Sequence, residues 1–176
     1  MTRRRWRRGL QIGIGGATAA VIVTGVAVAL VGPARIWSSI AGPADQGPVD
    51  FDRLARSPYP NDALACSRGV CGEAAEIVLP VYAAQPDTLL DRLDAVMFDG
   101  PLSGDAERVD DGTDPKRRRY VVRTKLMRFP DTLNAEARAT DGGTALLLYS
   151  RSLLGRGDLG ANAERLKRIA VVLEGA

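Results

Sequence analysis

The hydrophobic pattern opens with a charge-free run over residues 10–31, 22 residues without an ionisable side chain. As a helix such a run rises about 33 Å, enough to cross a hydrocarbon core of about 30 Å, so the pattern predicts a single membrane span. Residues 32–57 then lose all periodicity. They hold Pro43 and Pro48 among glycines and acids, and read as a linker on which Phe51 and Leu54 could dock back. Residues 76–83 alternate as a strand through Ile77, Leu79 and Val81, with Pro80 pushing it to a sheet edge. A helix starts at Pro86 with Asp87 beside it, and Leu89, Leu90, Leu93, Val96 and Met97 keep helical spacing.

Beyond an acidic loop, a short strand is expected at 106–109. Residues 119–126 then alternate with period two, Tyr120, Val122, Thr124 and Leu126 inward and Arg119, Arg123 and Lys125 outward. Leu133, Ala135 and Ala137 continue that alternation, Asp141-Gly142-Gly143 turns tightly into a strand over 144–152, and 162–173 closes the chain as an amphipathic helix. The expected fold class is α+β: an antiparallel sheet of four or five strands with two helices on one face, preceded by a single N-terminal transmembrane helix. The other sheet face, carrying Arg119, Arg123, Lys125 and Arg138, is expected to stay partly open. The domain organisation that follows is a basic cytoplasmic region over 1–9, the span over 10–31, a linker over 32–57 and one exported domain over 58–176.

Charge adds a direction to this plan. Arg3, Arg4, Arg5, Arg7 and Arg8 precede the apolar run and only Arg35 follows it closely, which by the positive-inside rule keeps the N-terminus in the cytoplasm and the domain outside. The same five arginines would meet anionic lipids. Arg3-Arg4-Arg5 also resembles a twin-arginine export signal, so a cleaved Tat or Sec signal is the alternative to a retained anchor in the bacterial cytoplasmic membrane. The net charge of +3 belongs to this leader. Residues 42–176 carry 18 Lys and Arg against 21 Asp and Glu, which removes the support for nucleic-acid binding by the domain.

Composition narrows the chemistry. There is no histidine, which excludes Ser-His and Cys-His nucleophile pairs and His-ligated metals. No metal and no cofactor is expected. Cys66 and Cys71 bracket four residues including Gly69, a spacing that suits a small disulfide ring, with buried or free thiols, or a metal or redox role, as alternatives. Residues 155–160 spell G-x-G-x-x-G, but a dinucleotide site needs a second parallel strand with an acid further on, and the sequence stops at Ala176. A tight strand-to-helix turn is the reading preferred for it. Arg151 and Arg156 beside that helix start could hold an anion.

Several segments in succession carry a resemblance: residues 60–66 with Cys71, Met127-Arg128-Phe129-Pro130-Asp131, Tyr149-Ser150-Arg151-Ser152, and residues 157–162. Together they resemble the bacterial domain-of-unknown-function 1499 family over about residues 58–174. The resemblance implies an exported envelope domain, often behind an N-terminal membrane segment, and brings no activity with it. The candidate ligand-binding residues are Arg123, Lys125, Arg128, Asp131, Arg151, Arg156, Asp158 and Asn162. The expected function is binding of an anionic or lipid-headgroup ligand, or of an envelope protein partner. The alternatives are a His-free enzyme using Asp131 or Asp158 as base with Ser150 or Lys125 nearby, and a structural envelope scaffold without a ligand.

Overall fold

The computed structural model describes residues 32–100 and 104–175, and the chain divides into two compact units between Ile40 and Ala41. Around that division lies helix α1 (Pro33–Ala41), whose Ser38 and Ser39 hydroxyls donate back to the carbonyls of Ala34 and Arg35. The charge-free run at 10–31, expected to span a membrane, lies outside the described residues. Among the described residues no helix is long and apolar enough to cross a membrane.

The second unit is built on a six-stranded sheet in the order β2-β1-β6-β5-β4-β3. Its strands are β1 (Asp62–Ser67), β2 (Ile77–Leu79), β3 (Ala106–Arg108), β4 (Arg117–Arg123), β5 (Pro130–Thr140) and β6 (Gly143–Ser152). Helices α2 (Pro86–Phe98) and α3 (Ala161–Glu174) complete it. The expectation of an antiparallel sheet of four or five strands with two helices is thereby corrected. The sheet has six strands and is mixed, because β1 pairs with β2 in parallel while every other pair is antiparallel. Three α-helices stand among the described residues.

The strand missing from the expectation is β1, and its composition explains why. Asp-Ala-Leu-Ala-Cys-Ser holds no β-branched or aromatic residue, yet it lies between β2 and β6 and is buried along its length after Asp62. Ala63 and Ala65 present only methyl groups to the main core, where Leu166, Ile169 and Leu173 of α3 pack with Leu89, Leu90, Leu93 and Met97 of α2. The parallel pairing follows from the disulfide between Cys66 and Cys71 and a 3₁₀ turn at Gly72–Ala74, which carry the chain back to the start of β1, where the Glu76 amide donates to the Leu64 carbonyl.

The β5–β6 hairpin turns through Asp141 and Gly142 as its sequence requires, with Thr140 opposite Gly143. Gly143 has φ +132°, and a β-carbon there would run into the Tyr82 carbonyl, where Tyr82 and Thr144 bridge through both backbone bonds. Strand β4 ends earlier than its alternation suggests. At Thr124 the chain enters a tight loop closed by the Arg128 amide on the Thr124 carbonyl, so Leu126 is exposed rather than inward.

The sheet face away from α2 and α3 is covered, which corrects the expectation of an open basic surface. Val49, Phe51 and Leu54 pack on a second apolar cluster of Leu64, Cys66, Leu147 and Tyr149. Arg119 pairs with Asp45 at 2.9 Å and Arg138 with Asp52 at 2.8 Å, so charges expected to face solvent fasten residues 42–57 along the sheet.

Candidate functional site

At one end of the sheet, β5 begins and β6 ends side by side, with Asp131 opposite Ser152. The loop over 124–129 enters β5 there, and the loop over 153–160 leaves β6 for α3, tied to its neighbour by the Leu153 amide on the Pro130 carbonyl. Segments remote in sequence thus share one place.

Helix α3 is started by the second of these loops. Leu159 and Gly160 both take left-handed backbone, and the Asp158 carboxylate accepts from the Gly160 amide through Oδ1 and from the Asn162 amide through Oδ2, both at 2.9 Å. Asn162, fully buried, becomes a junction. Its Nδ2 donates to Asp158 Oδ2 at 2.7 Å, Ser152 Oγ at 2.9 Å and the Asn61 carbonyl at 3.1 Å, while its Oδ1 accepts from Ser150 Oγ and Arg165 Nη1 at 2.5 Å each. Arg165 Nη1 also donates to Ser150 Oγ at 2.8 Å, and its Nη2 reaches Asp131 Oδ2 at 2.5 Å. Asn61 extends the network by donating to the Gly155 carbonyl at 2.8 Å and accepting from Ser57 Oγ at 2.5 Å. Such a network is favourable only when its members are satisfied, and here one carboxylate oxygen, Asp131 Oδ1, accepts no hydrogen bond from the described residues.

Above this polar floor lies a cavity of about 370 Å³. Phe129, Leu154 and Ala161 make its apolar walls, with Asp131 and Asp158 among the polar groups that line it. A larger open depression of about 790 Å³ runs between the β2 edge and the end of α3, with Arg68 and Arg92 opposed by Glu174. There burial, helped by Glu174, pushes the Tyr82 phenol up to about 12. That depression holds no buried polar network and none of the candidate residues.

The structure gathers Asp131, Asp158 and Asn162 into the network and disperses the rest. Arg128 lies in the adjoining loop and is paired with Asp105 at 2.6 Å. Arg123 faces Glu107 at 4.0 Å. Arg151 is on the opposite sheet face, where it donates to the Gln46 carbonyl at 2.7 Å and sits 6.0 Å over the Tyr149 ring. Arg156 stacks over Tyr59, and Lys125 is exposed in the 124–129 loop. Sequence reasoning missed Arg165, Asn61 and Ser152. For Arg165 a signal existed, since it falls on the buried stripe of α3 with Asn162, Leu166 and Ile169, a register where a charge must find a partner.

A second polar cluster lies on the far face, where Arg56 bridges Asp62 and Glu76 and Tyr149 donates to Asp62. Burial alone would raise Asp62, but the hydrogen bonds from Arg56 and Tyr149 outweigh it and hold the carboxyl below its usual range. These groups use one another and leave no acceptor turned to a cavity wall.

Asp158 is spent on the amides of the helix start, and the Ser150 hydroxyl is buried between Asn162 and Arg165 without a base to take its proton. Fold and site together define a mixed-sheet domain with a polar-floored cavity at one sheet end. The chain belongs to the family described as protein of unknown function DUF1499, whose model matches residues 61–173. No curated protein and no solved structure matches it.

Proposed function

We propose that the domain is a ligand-binding module whose site is the cavity between the 124–129 and 153–160 loops, and that its ligand is an apolar group ending in a hydrogen-bond donor. The observation that carries this reading is the Asp131 carboxylate, which lines a cavity with apolar walls and is held by Arg165 through Oδ2 alone. An apolar chain gains about 25 cal/mol for each Å² it buries, and a hydroxyl or ammonium at its end would satisfy the carboxylate. An anion is disfavoured there, since the arginines expected to receive one are paired elsewhere. Placement of the module outside the cytoplasm is part of the proposal, supported by the Cys66–Cys71 disulfide.

Calorimetric titration of the full-length chain with dodecanol, dodecylamine and dodecanoate tests it. One alcohol or amine per chain is expected, with dodecanoate bound at least about tenfold more weakly. Leu154→Trp, which fills the cavity, is expected to abolish binding. Equal affinity for the carboxylate, or undiminished binding in Leu154→Trp, overturns the reading.

A further inference from the structure

Two non-glycine residues among the described residues take positive φ, Arg128 at 55° and Leu159 at 54°. Both stand in the loops that flank the cavity. For Arg128 the conformation has a visible purpose, since it closes the loop onto Thr124 and pairs with Asp105. Leu159, whose left-handed backbone belongs to the start of α3, is 105% exposed and so leaves a large apolar group out in solvent.

The same end of the sheet exposes Leu126 (87%), Met127 (47%) and Tyr59 (44%). Cations are interleaved with them. Lys125 precedes Leu126, and Arg156 lies 5.4 Å over the Tyr59 ring. The acids of these loops and their neighbours are already engaged, Asp158 with backbone amides, Asp105 with Arg128 and Asp131 with Arg165. Apart from Glu107, near Arg123, and Glu164, near Arg168, what remains outward is apolar, aromatic and positive. Gln46 bonds Thr132 and Arg151 next to the roots of both loops.

We propose that this end of the sheet docks on a membrane surface bearing anionic lipid, with Leu126, Met127 and Leu159 entering the boundary between headgroups and acyl chains. Lys125 and Arg156 then meet the anionic headgroups, and Tyr59 takes the interfacial level that suits an amphipathic ring. The charge complementarity selects lipid over a second copy of this chain, whose same end would bring like charges together. The docking rests on the exposed loop tips and not on occupancy of the cavity, so either reading survives failure of the other.

The test uses the full-length chain with its disulfide intact and one added cysteine, Leu126→Cys or Leu159→Cys, carrying a polarity-sensitive nitrobenzoxadiazole dye. Asp141→Cys, in the turn at the opposite sheet end, is the control. With vesicles of phosphatidylcholine and phosphatidylglycerol, dyes at 126 and 159 are expected to shift to the blue and become protected from an aqueous quencher, while the dye at 141 is not. Changing Lys125 and Arg156 to Gln is expected to cut the protected population about fivefold for each cation removed. Dyes at 126 and 159 that stay in water beside these vesicles overturn the proposal. So does a blue shift that rises with protein concentration in the absence of vesicles, which would assign the surface to self-association.

Discussion

Arg165 of α3 reaches across to the start of β5 and holds Asp131, Nη2 to Oδ2 at 2.5 Å, with the two side chains only 6% and 4% exposed. Removing one partner leaves the other charge buried, whereas removing both leaves an apolar gap that hydrocarbon can fill. Arg165→Met is therefore expected to lower stability by about 3–5 kcal/mol, and Arg165→Met with Asp131→Leu to recover most of that loss. Urea unfolding of the two variants beside the parent checks it. A double variant no more stable than the single one would show that Asn162 and Ser150, not Asp131, depend on the guanidinium.

Asp158 and Asn162 are expected to behave as a unit. Asp158→Ala loses the acceptor for the first amides of α3, at a cost of about 1 kcal/mol, and Asn162→Ala strands buried partners, at about 2–3 kcal/mol. Because Asp158 Oδ2 accepts both the backbone amide and the side-chain amide of Asn162, the double substitution should cost less than the two combined, with a coupling of about 0.5 kcal/mol or more. A double-mutant cycle in urea measures it, and strict additivity would separate the helix start from the network.

The Cys66–Cys71 bond closes a short ring on a central strand and packs in the cluster that holds residues 49–54 against the sheet. By loop-closure entropy a ring this small contributes about 2 kcal/mol. Reduction, or Cys66→Ser with Cys71→Ser, is expected to remove that amount and to speed proteolysis after Arg53 and Arg56 as the strap loosens. Limited trypsin digestion with and without reductant reads the second effect directly.

Acid should weaken the domain in a defined window. Burial would raise Asp110, but hydrogen bonds from Arg108 and the amides of Arg119 and Gly112 outweigh it and bring the carboxyl down to about 2. With the folded value below the unfolded one, the stabilisation is complete above about pH 4 and is lost as pH falls towards 2, on the order of 1 kcal/mol once solvent screening of this partly exposed pair is counted. Asp110→Asn is expected to flatten that part of the stability profile, measured by urea unfolding at intervals from pH 5 to about pH 2.

How far the sequence reached depended on whether a residue's surroundings were local. The helix start at Pro86, the Asp141-Gly142 turn and the disulfide spacing are decided by near neighbours, and each stands where its residues imply. Strand β1 is decided by β6, some eighty residues on, and its alanines give no strand signal of their own. The basic side chains Arg119 of β4 and Arg138 of β5 were visible, but not Asp45 and Asp52, which neutralise them. Asp131, Asp158 and Asn162 were singled out by motif, while the side chain that joins them, Arg165, looked like one more arginine in a helix.

The placement of β1 has a bearing on how the molecule comes to exist. Its two neighbours are β2, which follows it closely, and β6, near the other terminus. Until β6 has emerged, β1 has only its short parallel ladder with β2, and the growing chain carries Leu64 and Cys66 without Leu147 and Tyr149 against them. The β4–β5 and β5–β6 hairpins close over short separations and can form as they appear, whereas β1 must be recruited backwards across most of the domain. Closure of the sheet around β1 thus waits on β6, the last of the six strands along the chain.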